Sequence, residues 1–129
     1  MRWRMLVARV AVATILAGCG GQTHRLQGAF ILNDTGVDYS ESSCSGTGEY
    51  ADLKEGLGVV VKDEAGQTVG STKLVVDPRS SASQCLYRWE MTVADAASYS
   101  IHVGERAAGT YSTEDMNSRY WQVATTVGE

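Results

Sequence analysis

Proline and histidine are almost missing from this 129-residue chain, which has one proline, Pro78, and two histidines, His24 and His102. A single proline leaves no proline-rich spacer. Two histidines, neither at zinc-ligand spacing from a cysteine, leave little from which to build a metal centre. Long apolar runs are lacking too. Met5 to Gly18 spans fourteen residues and contains Arg9, whereas a bilayer-crossing helix needs about 20 apolar residues. There is no Gly-x-Ser-x-Gly elbow and no Ser-x-x-Lys nucleophile pair. No Gly-Lys-Ser/Thr follows Gly46-Thr47-Gly48 to make a phosphate loop. The acids Asp34, Asp38, Glu41, Glu49, Asp52 and Glu55 lack the alternating spacing of a calcium loop. No catalytic constellation and no cofactor is implied.

What is present begins at the N-terminus. Arg2, Arg4 and Arg9 form a positive region, Val10 to Ala17 an apolar one, and Leu16-Ala17-Gly18-Cys19 a lipobox. Small residues let a peptidase hold the strand, and the Cys19 thiol is the nucleophile for lipid transfer. Residues 1–18 therefore read as a cleaved lipoprotein signal peptide, with Cys19 carrying a diacylglyceryl anchor at the outer face of the cell membrane. Plain secretion is the rival reading. Two acyl chains, at about 0.8 kcal/mol per buried methylene, hold a protein on a membrane where one is marginal. No adjacent arginine pair supports twin-arginine export. Gly20 to Arg25 is polar and reads as a tether, residues 19–26 with the lipidated cysteine. At about 3.5 Å per residue it reaches roughly 20 Å.

Removing eighteen residues leaves 111, enough for one domain, residues 27–129, and too few for two. Three of the eleven Lys and Arg leave with the signal, so eight face fifteen Asp and Glu, a formal charge of −7. Such a balance argues against nucleic acid and against anionic lipid as partners. Of three cysteines, Cys19 is taken by lipid, leaving Cys44 and Cys85. Outside the cytoplasmic membrane that pair reads as a disulfide; a metal site or a reactive thiol is the alternative. The bond would close about 42 residues, contributing about 4 kcal/mol on the chain-entropy model.

The domain reads as strands. Ala29 to Asn33 is a short apolar run ended by the turn residues Asn33-Asp34-Thr35-Gly36. Asp38 to Gly56 is polar and glycine-dotted, hence a long loop. Leu57–Lys62 and Val69–Val76 flank Asp63-Glu64-Ala65-Gly66-Gln67 as a hairpin with Gly66 at a positive-φ position. Residues 77–83 read as a loop. Cys85, Tyr87, Trp89, Met91 and Val93 alternate with Leu86, Arg88, Glu90 and Thr92; Tyr99, Ile101 and Val103 repeat the pattern. With Ala94–Ala97 between them, these two runs read as neighbouring antiparallel strands. Ser112-Thr113-Glu114-Asp115 has the form of a capping box for a short helix at Thr113–Ser118. Trp121, Val123, Thr125 and Val127 form a last strand. The expectation is an all-β, small antiparallel sandwich-like domain with one short C-terminal helix.

Cys44 to Gly56 holds the densest set of unusual residues. Cys44, Gly46, Gly48, Tyr50, Asp52 and Gly56 precede a valine-rich strand. The Asp63–Gly66 turn, Cys85 at the head of an aromatic strand, and Tyr111-Ser112 before the helix follow in order, with Tyr120-Trp121 beyond it. This order resembles a family of small secreted and lipid-anchored actinobacterial proteins over most of Cys44 to Val127. The family carries no assigned activity, so the resemblance implies no catalytic residue.

Two accounts fit that loop. In one, Tyr50, Asp52 and Glu55 line a site for a small ligand or an envelope protein, on a loop held by the disulfide. In the other, the glycines make turns, Tyr50 packs on the core and the acids are solvated. The functional expectation is a membrane-anchored binding or accessory module at the cell envelope. The alternatives are a small envelope hydrolase or transferase using Asp52 or Glu55 with Tyr50, or a purely structural surface protein.

Overall fold

Alternation along the strands decides which side chains meet in the core. The structure, a computed structural model, describes residues 21–128; residues 1–18 and Cys19 lie outside the described residues. Strands β1 (Thr23–Asn33), β2 (Asp38–Ser40), β3 (Ser43–Ser45), β4 (Gly58–Lys62), β5 (Thr68–Lys73) and β6 (Val75–Val76) come first. They are followed by β7 (Gln84–Ala94), β8 (Ser98–Val103), β9 (Arg106–Ser112), helix α1 (Thr113–Ser118) and β10 (Gln122–Gly128). Two four-stranded sheets form, ordered β10-β1-β7-β6 and β5-β4-β8-β9, with β2–β3 a separate hairpin. Leu26, Phe30 and Leu32 of β1 and Cys85, Tyr87, Met91 and Val93 of β7 face Val59, Val61, Tyr99, Ile101 and Val103 of the other sheet in one buried cluster.

This is the expected all-β domain with one short helix. The capping box closes as read: Ser112 Oγ accepts from Asp115 N at 3.0 Å, and Asp115 Oδ2 from Ser112 N at 3.2 Å. The Asp63–Gln67 turn also matches, with Gly66 at φ 80° and Asp63 Oδ1 accepting from Ala65 N and Gln67 N, each at 2.9 Å.

Several expectations need correction. β7 and β8 are not neighbours. β7 pairs with β1 and β6, β8 with β4 and β9, so Ala94–Ala97 crosses from one sheet to the other. Alternation reports which face is buried and says nothing about the strand alongside. Tyr99 fixes the crossing: its hydroxyl donates to Ala94 O at 3.1 Å and accepts from Ala96 N at 2.9 Å.

β1 starts at Thr23 and so takes in Thr23, His24 and Arg25, read as tether, because eleven consecutive residues pair with β7. The 38–56 stretch is not wholly loop; it contains the β2–β3 hairpin and a 3-10 turn at Gly48–Tyr50. The Val69–Val76 run divides into β5 and β6 in opposite sheets, with Leu74 buried between them. β9 has no predicted counterpart. Finally, β10 lies parallel to β1, from Gln27↔Gln122 to Asn33↔Gly128.

Both corners between the sheets are closed. At one, Thr125 Oγ1 of β10 donates to Ala108 O of β9 at 3.0 Å. At the other, β5 lies so close to β7 that a Cβ added to Gly70 would sit 3.1 Å from Thr92 O. The outer face of the first sheet, with Arg25, Gln27, Ala29, Arg88 and Glu90 pointing away from the core, is left open.

Candidate functional site

The loop singled out by sequence is tied down at every conspicuous residue. Cys44 and Cys85 are disulfide-bonded with Cα atoms 5.5 Å apart. Beside the bond, the buried Tyr87 hydroxyl is placed to donate to Cys44 O at 2.8 Å and to Leu53 O at 3.2 Å. Burial pushes that phenol up to about 12. Tyr50 is half-buried, and the Arg106 guanidinium lies 5.3 Å from its ring centre. Arg106 Nη2 donates to Asp52 Oδ1 at 2.8 Å and to Glu49 O at 2.9 Å. Glu55 turns elsewhere, its Oε1 accepting from Val76 N of β6 at 3.3 Å.

The structure therefore brings Tyr50 and Asp52 together around Arg106 and separates Glu55 from them. Sequence reading missed Arg106 because it opens β9, whose Arg-Ala-Ala-Gly-Thr-Tyr-Ser run lacks apolar alternation and continues from Arg106 into the strand-poor Ala107, Ala108 and Gly109. The lipobox residues Leu16, Ala17 and Gly18, with Cys19, lie outside the described residues. Among the described residues, no group of three His, Cys, Asp or Glu could hold a metal ion. No described helix is long and apolar enough to cross a membrane.

A second cluster sits where β1 begins. His24 stacks on Trp121 with ring centres 4.0 Å apart and planes 5° from parallel, and its Nε2 lies 3.1 Å from Asp95 Oδ1. Trp121 also meets Tyr99 edge-on at 5.3 Å and donates Nε1–H to Asn117 Oδ1 at 3.0 Å. These contacts hold two consecutive non-glycine residues in the left-handed region, Tyr120 at φ 56° and Trp121 at φ 59°. The cluster ties the first strand to the helix–β10 junction.

A third feature is neither of these. It is an open groove of about 680 Å³ on the outer face of the first sheet, lined by Arg25, Gln27, Arg88, Glu90 and Gln122, with Thr72, Lys73 and Val75 along one margin. A smaller recess of about 540 Å³ lies at Asp52, Leu57 and Gly104–Arg106. The groove's polar side chains form a grid set by strand register: Gln27 opposite Glu90 and Gln122, Arg88 opposite Ala29 and Val75.

Beneath that grid, Gly28 is required by close approach, since a Cβ there would collide with the indole of Trp89 on the neighbouring strand. Arg25 Nη2 lies 3.0 Å from Glu90 Oε1 and holds the Glu90 carboxyl below its ordinary range. Arg88 Nε lies 3.4 Å from Asp77 Oδ2. Both arginine side chains remain more than half exposed, at 58% and 57%, and a guanidinium has five N–H donors, so each keeps donors free toward solvent. Comparison with protein-family models, with curated proteins and with solved structures returns no match.

Proposed function

We propose that this chain is a lipoprotein, held on the outer face of the cell membrane by a diacylglyceryl group on Cys19, whose sandwich serves as a binding or accessory module for an envelope component. The anchor rests on the basic-then-apolar N-terminus ending in Leu16-Ala17-Gly18-Cys19. The likeness to small lipid-anchored actinobacterial proteins points the same way. The binding role rests on one observation: a groove on a sheet face whose two arginines keep free donors.

An envelope hydrolase or transferase built on Tyr50, Asp52 and Glu55 draws no such support. The Asp52 carboxylate is engaged by Arg106, and Glu55 accepts a backbone N–H on a different strand. Among the described residues neither carboxylate is hydrogen-bonded to a hydroxyl or thiol, and acid–base activation of a nucleophile needs that geometry.

Cell fractionation and crosslinking test the two halves. Cys19→Ala is expected to move the protein out of the membrane fraction; if it stays, the anchor reading is lost. Crosslinking on intact cells, followed by mass spectrometry, is expected to capture one reproducible envelope component. Recovery of abundant neighbours alone would sink the module reading.

A further inference from the structure

The geometry points to an anionic glycan, a sugar chain bearing carboxylate or phosphate groups, as the ligand of the groove on the outer face of the first sheet. This rests on the binding-module reading and names the chemistry of its site. The mature chain carries eight basic against fifteen acidic residues, yet the groove gathers Arg25, Lys73 and Arg88 against one carboxylate, Glu90. An acidic domain that gathers three of its eight cations in one groove favours a negatively charged occupant there. Each guanidinium presents a planar fork suited to two oxygens of a carboxylate or phosphate. The single nearby pairing of each leaves donors over.

The amides of Gln27 and Gln122 are cross-strand neighbours on the same face, and each offers both a donor and an acceptor. Paired donors and acceptors are what sugar hydroxyls need. A neutral sugar is poorly served, because the only aromatic ring in the lining, Trp89, is 4% exposed and offers no platform for stacking. An acidic peptide adding a strand is also poorly served. The β7 edge beyond β6 is covered by β5, and β10 is bonded to β9 at the opposite corner. The occupant must therefore lie across the sheet face. A groove of about 680 Å³ falls within the size of small-ligand sites, about 300–1,000 Å³, and its open form admits a segment of a longer chain.

The test uses the full lipidated protein in detergent micelles, titrated with polygalacturonate by calorimetry. Dextran serves as the neutral glycan and polyglutamate as the acidic peptide. Polygalacturonate is expected to bind, more weakly as salt rises, with dextran and polyglutamate at least about tenfold weaker. The double variant Arg25→Ala/Arg88→Ala is expected to lose about tenfold or more in affinity, through lost charge-assisted hydrogen bonds. Glu90→Gln should tighten binding, by removing the one lining carboxylate. Arg119→Ala, off the groove, should leave it unchanged, and thermal melts confirm that each variant is folded.

Equal binding of dextran, equal or tighter binding of polyglutamate, wild-type affinity in the double variant, or no binding at all would each overturn the assignment. If polygalacturonate is ignored while intact-cell crosslinking still captures an envelope component, the glycan is wrong and the module reading stands. If polygalacturonate binds and the cells yield nothing, the groove chemistry stands and the envelope role does not.

Discussion

The Cys44–Gly56 loop and the outer face of the first sheet hold similar side chains to opposite ends. In the loop the distinctive groups are engaged by other parts of the chain. The Cys44 sulfur is bonded to Cys85, the Cys44 and Leu53 carbonyls face the Tyr87 hydroxyl, Asp52 meets Arg106, and Glu55 meets Val76 N. Even Thr47 donates its hydroxyl to Gly36 O at 2.7 Å. On the sheet face, Arg25 and Arg88 each have one ionic partner among the described residues and stay more than half exposed. A concentration of unusual residues can mark a segment that is hard to fold, and unspent hydrogen-bonding capacity is the better guide to binding. Mutation of the loop should therefore cost stability, and mutation of the face should cost affinity.

Breaking the disulfide should have the largest effect on the loop side. The double change Cys44→Ser/Cys85→Ser releases a pairing 41 residues apart in sequence and should lower unfolding free energy by about 3–4 kcal/mol. Urea denaturation of the variant against the oxidised wild type measures this. A loss below about 1 kcal/mol would mean the hydrogen bonds alone hold the loop.

Those hydrogen bonds come second. Tyr87→Phe removes the one hydroxyl placed against Cys44 O and Leu53 O in the core. Leu53 O keeps the Gly46 N–H at 2.9 Å, so the loss falls on Cys44 O. Leaving a buried acceptor unpaired costs about 1–3 kcal/mol, read in the same denaturation experiment. A neutral result would show that water or backbone movement satisfies Cys44 O.

Tyr87 shows how far the sequence could be read. Its place on the inward face of β7 follows from alternation with Cys85, Trp89, Met91 and Val93, all buried. The cysteine count found its disulfide neighbour, and the capping residues Ser112 and Asp115 located the helix to the residue. These signals are local or arithmetic. The Tyr87 hydroxyl partners are not: they lie 43 and 34 residues away, and nothing in the strand's own sequence names them.

Pairing failed for the same reason. Ala94–Ala97 is short enough to make a hairpin, and only Tyr99 bonding back to Ala94 and Ala96 shows that the chain changes sheets instead. The groove was illegible for a further reason. Arg25, Gln27, Arg88, Glu90 and Gln122 are ordinary outward residues on three separated strands, and they become neighbours only through the β10-β1-β7 order.

Between the two regions lies Asp77, which is 3% exposed and forms a link that pH can cut. Arg79 reaches it with Nη2 on Oδ2 at 2.7 Å and Nε on Oδ1 at 3.0 Å, and Arg88 Nε of the groove lies 3.4 Å from the same Oδ2. The Arg79 hydrogen bonds hold its carboxyl down to about 2, from an ordinary 3.8. A carboxyl depressed in the folded state stabilises fully above its unfolded value and loses that contribution as pH falls from about 4 through 2. Asp77→Asn should be about 1–2 kcal/mol less stable at pH 7, a figure reduced because both arginines are solvated. The gap should close on acidification to pH 2. A gap independent of pH would assign the effect to packing and not to charge.

The smallest expected effect is the sharpest test of the comparison. Asp52 is 45% exposed and Arg106 30%, so their ion pair is worth about 0–1 kcal/mol and weakens with salt. Arg106 does more, since it also donates to Glu49 O and lies over Tyr50. Arg106→Ala should therefore destabilise more than Asp52→Ala, and the double variant should match Arg106→Ala alone, because the carboxylate has no role once its partner is gone. Partner capture on intact cells should be unchanged in Asp52→Ala. If instead Asp52→Ala melts like the wild type and loses the partner, the carboxylate is unspent after all. The loop, and not the sheet face, would then be the contact surface.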